Sequence, residues 1–201
     1  MASADDFRWD FGMPLPGDRA VPTTSARLAN RRVALLLSGG IAAYRAPGLV
    51  RELRRAGAEV QVMATPTALQ FVTADALAWT SLRPVISGLG GEAEHVEHQP
   101  DAWLLAPATY STLNKLAVGI ADNAVTTSLA SALGRLEAGG PPVLVAPTMH
   151  GSMWNGILRS SLAKLVDLGV QVVPPVGRDG KATLPTDEAL VAALVAALAP
   201  R

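Results

Sequence analysis

Residues 33–47 read VALLLSGGIAAYRAP: a five-residue apolar run, a Ser-Gly-Gly break, then a helical pattern. That order suits a turn that holds a phosphate. A continuous apolar run is the signature of a strand buried on both faces of a parallel sheet. Gly39 and Gly40 let the backbone turn sharply and approach a ligand, and Ser38 adds a hydroxyl. The helix that starts near Ile41 points its first N–H groups, and the positive end of its dipole, back at the turn. The turn is neither GxGxxG nor a Walker loop with its lysine. The same residues also suit a plain, unliganded strand-to-helix turn.

Three more apolar runs end in residues of the same kind. Thr65-Pro66-Thr67 follows the second, Pro107-Ala108-Thr109-Tyr110-Ser111-Thr112 the third, and Pro147-Thr148-Met149-His150-Gly151-Ser152-Met153-Trp154 the fourth. Ser and Thr cap helices routinely, but four such ends in succession fit a ligand cleft better. The histidines are His95, His98 and His150, and an imidazole is the side chain best suited to move a proton near neutral pH. A metal site at His95–Glu97–His98 lacks a third firm ligand and a second shell. No metal is expected.

These turns need rigid elements behind them. Strands are predicted at 33–37, 60–64, 102–106, 143–146 and 170–173. Helices are predicted at 41–56, 68–77, 112–121, 124–136, 155–168 and 187–198, with Gly57 and Gly169 at C-terminal caps. Such alternation implies an α/β fold: a Rossmann-like, doubly wound parallel sheet with helices on both faces and right-handed crossovers, in one domain. Ligands of such sheets bind beyond the strand C-termini. Residues 1–31 are polar and proline-bearing and read as an extended N-terminal arm, free or laid on a neighbouring subunit. Residues 32–201 form the domain. Arg51, Arg54 and Arg55 read as a solvated helix face.

Composition narrows the class. Apolar residues make up 49% and charged residues 17% of 201, so much of the chain is buried. The formal net charge of zero argues against a broad nucleic-acid surface. No run of 18 apolar residues is present, so no membrane span is expected. The N-terminus lacks the apolar core of a signal peptide, and the expected location is cytoplasmic. With no cysteine, the chain has no disulfide, no thiolate–metal site and no cysteine nucleophile of its own.

Several stretches together resemble the homo-oligomeric flavin-containing cysteine decarboxylases. SGGIAAYRAPGLVRELRRAGAEVQVMAT is similar to the opening of the pantothenate-pathway enzymes, PATYSTLNKLAVGIADNAVTT to the family's PASANT segment, and PTMHGSMW to its PxMNxxMW motif. The resemblance covers about residues 32–175. It implies bound FMN, with FAD as the occasional alternative, in a homotrimer or homododecamer whose flavin lies between subunits. By position, Ser38, Gly39, Gly40, Thr65 and Thr67 hold the flavin phosphate and ribityl chain. Pro107, Ala108 and Thr109 lie along the ring system, with Ser111 beside them. Asp122 and Asn123 sit near the flavin or the subunit contact. Met149, His150, Met153 and Trp154 face the substrate, and His95 is the catalytic histidine.

Two positions depart from the motifs. The PASANT asparagine is Ser111 and the PxMNxxMW asparagine is His150. A serine cannot offer the paired donor and acceptor of an amide, and a histidine changes size and bonding. The segment 173–185, matching a substrate clamp, has no cysteine, which disfavours the complete phosphopantothenoylcysteine reaction with its reductive step. The expected function is FMN-dependent oxidative decarboxylation of a cysteine-type substrate, a small-molecule thiol or a peptide C-terminus, to an enethiol. The alternatives are a non-decarboxylating flavin-binding paralogue acting through protein contacts, and a flavin prenyltransferase-like enzyme.

Overall fold

The structure, a computed structural model, describes residues 17–89 and 99–199. Its strands are β1 Arg32–Leu37, β2 Glu59–Ala64, β3 Ala102–Ala108, β4 Val143–Pro147, β5 Met149–His150, β6 Gln171–Val172, β7 Val176–Arg178 and β8 Lys181–Thr183. Its helices are α1 Ala46–Arg55, α2 Ala74–Ser81, α3 Tyr110–Ala117, α4 Ala124–Glu137, α5 Gly156–Asp167 and α6 Asp187–Ala197. Five strands form one parallel sheet in the order β2-β1-β3-β4-β6. The chain leaves β1 towards one edge and returns through β3 towards the other. The crevice of such a sheet opens at that reversal, at the C-terminal ends of β1 and β3.

The central strands are apolar on both faces because both faces are covered. Val33, Leu35 and Leu37 of β1, with Leu104 of β3, pack against Leu49 and Leu53 of α1, Leu77 of α2 and Leu190 and Leu194 of α6. Ala34 and Leu36, with Trp103 and Leu105, pack against Leu113 of α3, Leu129 of α4 and Leu158 and Leu165 of α5. Each buried Leu contributes about 1.5–3 kcal/mol, so the most stable layer lies directly beneath the crevice.

Three helices differ from their predicted bounds for local reasons. The first, predicted at 41–56, is a 3-10 turn at Ile41–Arg45 followed by α1. Pro47 has no N–H to give to Ala43, so the α ladder begins only at Ala46. The second, predicted at 68–77, is a short 3-10 turn at Ala68–Gln70 followed by α2, because Thr73 Oγ1 accepts from Ala76 N (3.2 Å) and restarts the helix. The third, predicted at 112–121, runs Tyr110–Ala117 and stops at Gly119, whose φ is +76°. There Ile120 N reaches back to Lys115 O and Gly119 N to Leu116 O, the paired bonds of a Schellman end.

Residues 17–31 lie on their own chain. Leu28 is fully buried and donates its N–H to Ala56 O, while Thr24 and Ser25 donate to Arg55 O. A side chain at Gly57 would meet Ala29 Cα at 3.1 Å, and its φ of +94° favours glycine besides. Arg54 is not simply solvated. It donates to Thr80 O (2.7 Å) and to Arg19 O, tying α1 to α2 and to this segment. Among the described residues, no helix is long and apolar enough to cross a membrane.

Candidate functional site

The turn after β1 is built by long-range bonds. Ser38 is fully buried, and its hydroxyl donates to Pro107 O (2.7 Å) and accepts from Thr109 N (2.8 Å). It therefore clips the end of β1 to the end of β3, which positions both turns. Gly39 follows, packed so closely on the β2 turn that a Cβ would lie 2.4 Å from Thr67 Cγ2 and 2.5 Å from Thr67 Cβ. A Cβ on Gly40 would meet Thr109 Cγ2 at 3.1 Å. Ala43 N donates to Gly40 O (2.9 Å), so the amides before it precede the helical ladder, the position from which helix starts donate to anions. Thr65 is nearly buried, and its hydroxyl accepts from Ala68 N (3.1 Å). Thr67 is exposed beside Gly39.

Above these turns lies a cavity of about 680 Å³, within the usual range for small-molecule and cofactor sites. It gathers Gly39, Gly40, Pro107, Thr109, Ser111, Met149, His150 and Met153 from the predicted set. Ser38, Thr65, Thr67 and Ala108 are not among its lining. Asp122 and Asn123 are also outside it. Asn123 caps α4, its Oδ1 accepting from Val125 N and Thr126 N at 3.1 Å each, and Thr126 Oγ1 closes the capping box. Asp122 pairs with Lys115 and accepts from Asn123 Nδ2 (2.8 Å). The hydrogen bond from Lys115 holds its carboxyl below the usual carboxylate range. Trp154 lines a neighbouring groove instead. His95 lies outside the described residues.

His150 is exposed and its ring is engaged locally. Nδ1 accepts from Ser152 N (3.2 Å) and lies 2.8 Å from Ser152 Oγ. That bonding leaves Nε2 as the protonated nitrogen of the neutral ring. Ser111 is exposed on the first turn of α3, beside Tyr110, whose hydroxyl meets Asn155 at 3.4 Å.

The site residues predicted one by one from the sequence make up under half of the wall. Ile41, Ala42, Tyr44, Arg45 and Thr148 line the cavity, as do Arg178, Lys181, Ala182, Thr183 and Leu184. The latter come from a three-stranded antiparallel sheet, ordered β5-β8-β7, that stands over the crevice. Asp179 and Gly180, with φ of 50° and 70°, make its two-residue turn. Asp-Gly between short flanking runs is the strongest local hairpin signal, and it was there to be read in VGRDGKAT. Arg45 holds the far end of this sheet: it donates to Leu184 O (2.9 Å) and pairs with Asp187 (2.6 Å).

Comparison with known proteins decides the family. The flavoprotein family model matches residues 22–199, nearly all of the chain. The chain belongs to the flavoprotein family. This flavoprotein is 33% identical over 186 residues to the coenzyme A biosynthesis bifunctional protein CoaBC of Thermococcus kodakarensis, an alignment covering 89% of the chain and 45% of that protein. The chain thus spans less than half the length of this bifunctional relative. It is 39% identical over 153 residues to a probable phosphopantothenoylcysteine decarboxylase of Streptococcus mutans, covering 72% of the chain and 83% of that protein. Among solved structures, the FMN-dependent cysteine decarboxylase TvaF from thioviridamide biosynthesis superposes with a TM-score of 0.66 at 33% identity, over 72% of the chain and 90% of TvaF.

Proposed function

We propose that this flavoprotein binds FMN at the ends of β1 and β3 and catalyses oxidative decarboxylation of a cysteine-type substrate, giving an enethiol. The observation that carries this is the contact of Gly39 with Thr67 at the mouth of the cavity. It keeps two turns free of side-chain bulk where helix-start amides lie, and the family's relatives include FMN-dependent cysteine decarboxylases. The residues present suit the cofactor: amides and hydroxyls at Gly39, Gly40 and Thr109 for its phosphate and chain, and apolar Ile41, Ala42, Met149 and Met153 for its ring. When bound, FMN supplies the two-electron oxidation that lets carbon dioxide leave. The protein's part is to hold the cysteine carbon at the ring and to keep water out. Met149, His150 and Met153 orient the substrate, and the acid–base role rests on His95 through the resemblance alone.

Ile41 is 71% exposed and Tyr44 62% exposed although both line the cavity. We infer that a second copy of the chain covers them, as in a trimer or a multiple of it.

The test uses purified protein. FMN should be released on denaturation, and colourless protein that takes up neither FMN nor FAD on titration rejects the reading. A peptide ending in Cys, or phosphopantothenoylcysteine, should lose carbon dioxide and two hydrogens while the flavin bleaches, its colour returning in air. One observation favours a second reading: Ser111 and His150 stand where the motif asparagines stood. If flavin binds and no cysteine substrate bleaches it, the chain is a non-decarboxylating paralogue, and restoring Asn at both positions should then recover activity.

A further inference from the structure

α2 is a short helix with a weak hold on the core: of its eight residues only Leu77, Thr80 and Ser81 are buried. It ends on Leu82 at a φ of +64°, a left-handed conformation that a bulky side chain resists. A helix also leaves its last carbonyls without partners along its own ladder. Two arginines reach them here. Arg19 donates through Nη2 to Ala78 O (2.7 Å), which Leu82 N also reaches, and through Nε to Trp79 O (3.1 Å). Its guanidinium lies 5.3 Å from the centre of the Trp79 ring, within cation–π range. Arg54 takes Thr80 O (2.7 Å) and holds Arg19 in turn, donating to Arg19 O (3.2 Å). The negative end of the helix dipole favours both charges. Arg54 belongs to α1, but Arg19 comes from the segment before β1. That segment is fastened further along by Thr24 and Ser25 on Arg55 O, by buried Leu28, and by Arg27 on Glu188 of α6 (3.0 Å).

The other end of α2 joins the turn that faces Gly39. Only Phe71, Val72 and Thr73 separate α2 from the 3-10 turn at Ala68–Gln70. That turn is bonded to Thr65 through Ala68 N, and Phe71 N donates to Ala68 O (3.0 Å). The chain leaves the sheet at Thr65, whose N–H donates to Leu37 O (3.0 Å), and returns at Ile86, whose N–H donates to Val62 O (3.1 Å). Residues 65–85 are thus one excursion from the edge of β2, and Arg19 and Arg54 hold its far bend. Building on the proposed FMN site, we infer that Arg19 is a positioning residue for the cofactor. The segment 17–28 clamps α2 by its C-terminal end, α2 keeps the Thr65–Gln70 turn seated on Gly39, and the engaged clamp sets how long FMN stays bound. Arg19 does this from outside the cavity, whose lining does not include it.

The experiment uses the full chain and compares wild type with Arg19→Ala, Arg19→Lys, and Arg19→Ala combined with Leu82→Gly. Deuterium exchange is followed first, without flavin. In Arg19→Ala the amides of residues 67–71 and of residues 76–82 should both exchange about tenfold faster, the size of a lost hydrogen bond from a charged group. Those of β1 and β3 should not change. FMN is then loaded and its release on dilution is read from the recovery of flavin fluorescence. Release from Arg19→Ala should be about tenfold faster than from wild type. Arg19→Lys keeps the charge but not the fork, and should restore part of the difference. Leu82→Gly removes the strained end of α2, and should slow both exchange and release again without Arg19. Faster exchange confined to residues 76–82 overturns the inference, because the clamp then does not reach the turn. A lower Tm with an unchanged release rate overturns it too, since Arg19 would then serve stability alone. Wild type that binds no flavin rejects the FMN site, and the exchange comparison still decides whether the clamp holds the turn.

Discussion

At the scale of single residues, Gly39 and Ser38 do different work although they are neighbours. Gly39 has no room for a side chain: its replacement by Ala forces Thr67 aside, an overpacking that costs about 1–3 kcal/mol. Gly39→Ala should lower FMN affinity sharply, and Gly39→Val should abolish it, as followed by fluorescence titration. Ser38 looks in the sequence like a hydroxyl offered to a phosphate, yet its hydroxyl is already bonded to Pro107 O and Thr109 N. Ser38→Ala leaves Thr109 N without its acceptor and Pro107 O with only the Ser38 N–H (3.3 Å), and should cost about 1–3 kcal/mol, seen as a lower Tm in the protein before any cofactor is added. An unchanged Tm would mean that the clip between β1 and β3 is not what Ser38 contributes. That the sequence does not show this bonding has a plain cause. The partners lie about seventy residues away, and local sequence carries no record of them. Gly39 was legible because a glycine at a strand-to-helix turn signals close approach, although the neighbour it approaches, Thr67, lies on the turn after β2.

The secondary-structure elements were legible where burial speaks with one voice. The central strands β1, β3 and β4 came from apolar runs because a strand covered on both faces has no polar position to blur it, and the edge strands β2 and β6 were read despite Gln61 and Gln171. Helix ends were harder. Pro47, Thr73 and Gly119 each moved a boundary through a bond or a missing donor that a hydrophobic pattern does not register. The small sheet was missed because its strands have two or three residues each and are largely exposed, too short for any period to emerge. Asn123, which the resemblance puts near the flavin or the subunit contact, caps α4. Asn123→Ala should therefore cost about 1 kcal/mol of stability, measurable by urea unfolding. Asp122 sets a pH dependence. Its carboxyl is held below the unfolded value of 3.8, so between the two values the unfolded chain binds more protons and stability rises with pH. The contribution is present above about pH 4 and is lost as pH falls through the folded value. Asp122→Asn should lower Tm at pH 6 and make less difference below pH 4.

For the whole molecule, the floor and the wall of the cavity differ in kind. The floor is the end of a sheet packed on both sides. One wall is a hairpin tied down at Leu184 by Arg45, and another side presents Ile41 and Tyr44 outward. Light scattering at micromolar concentration should return a trimer or a multiple of it, and a flavin-loaded monomer would contradict the reading that a second copy completes the site. Arg45→Gln should loosen the hairpin without removing Gly39 from its turn, raising KM by about tenfold while FMN binding persists. The contrast between floor and wall also has a dynamic consequence. Opening free energies within one protein range from near zero up to the global value. The backbone amides of residues 176–183, in strands of three residues each, should exchange with deuterium orders of magnitude faster than those of β1 and β3. A ligand seated in the cavity should slow that exchange selectively, so occupancy of this wall can be timed amide by amide in a protein that turns nothing over.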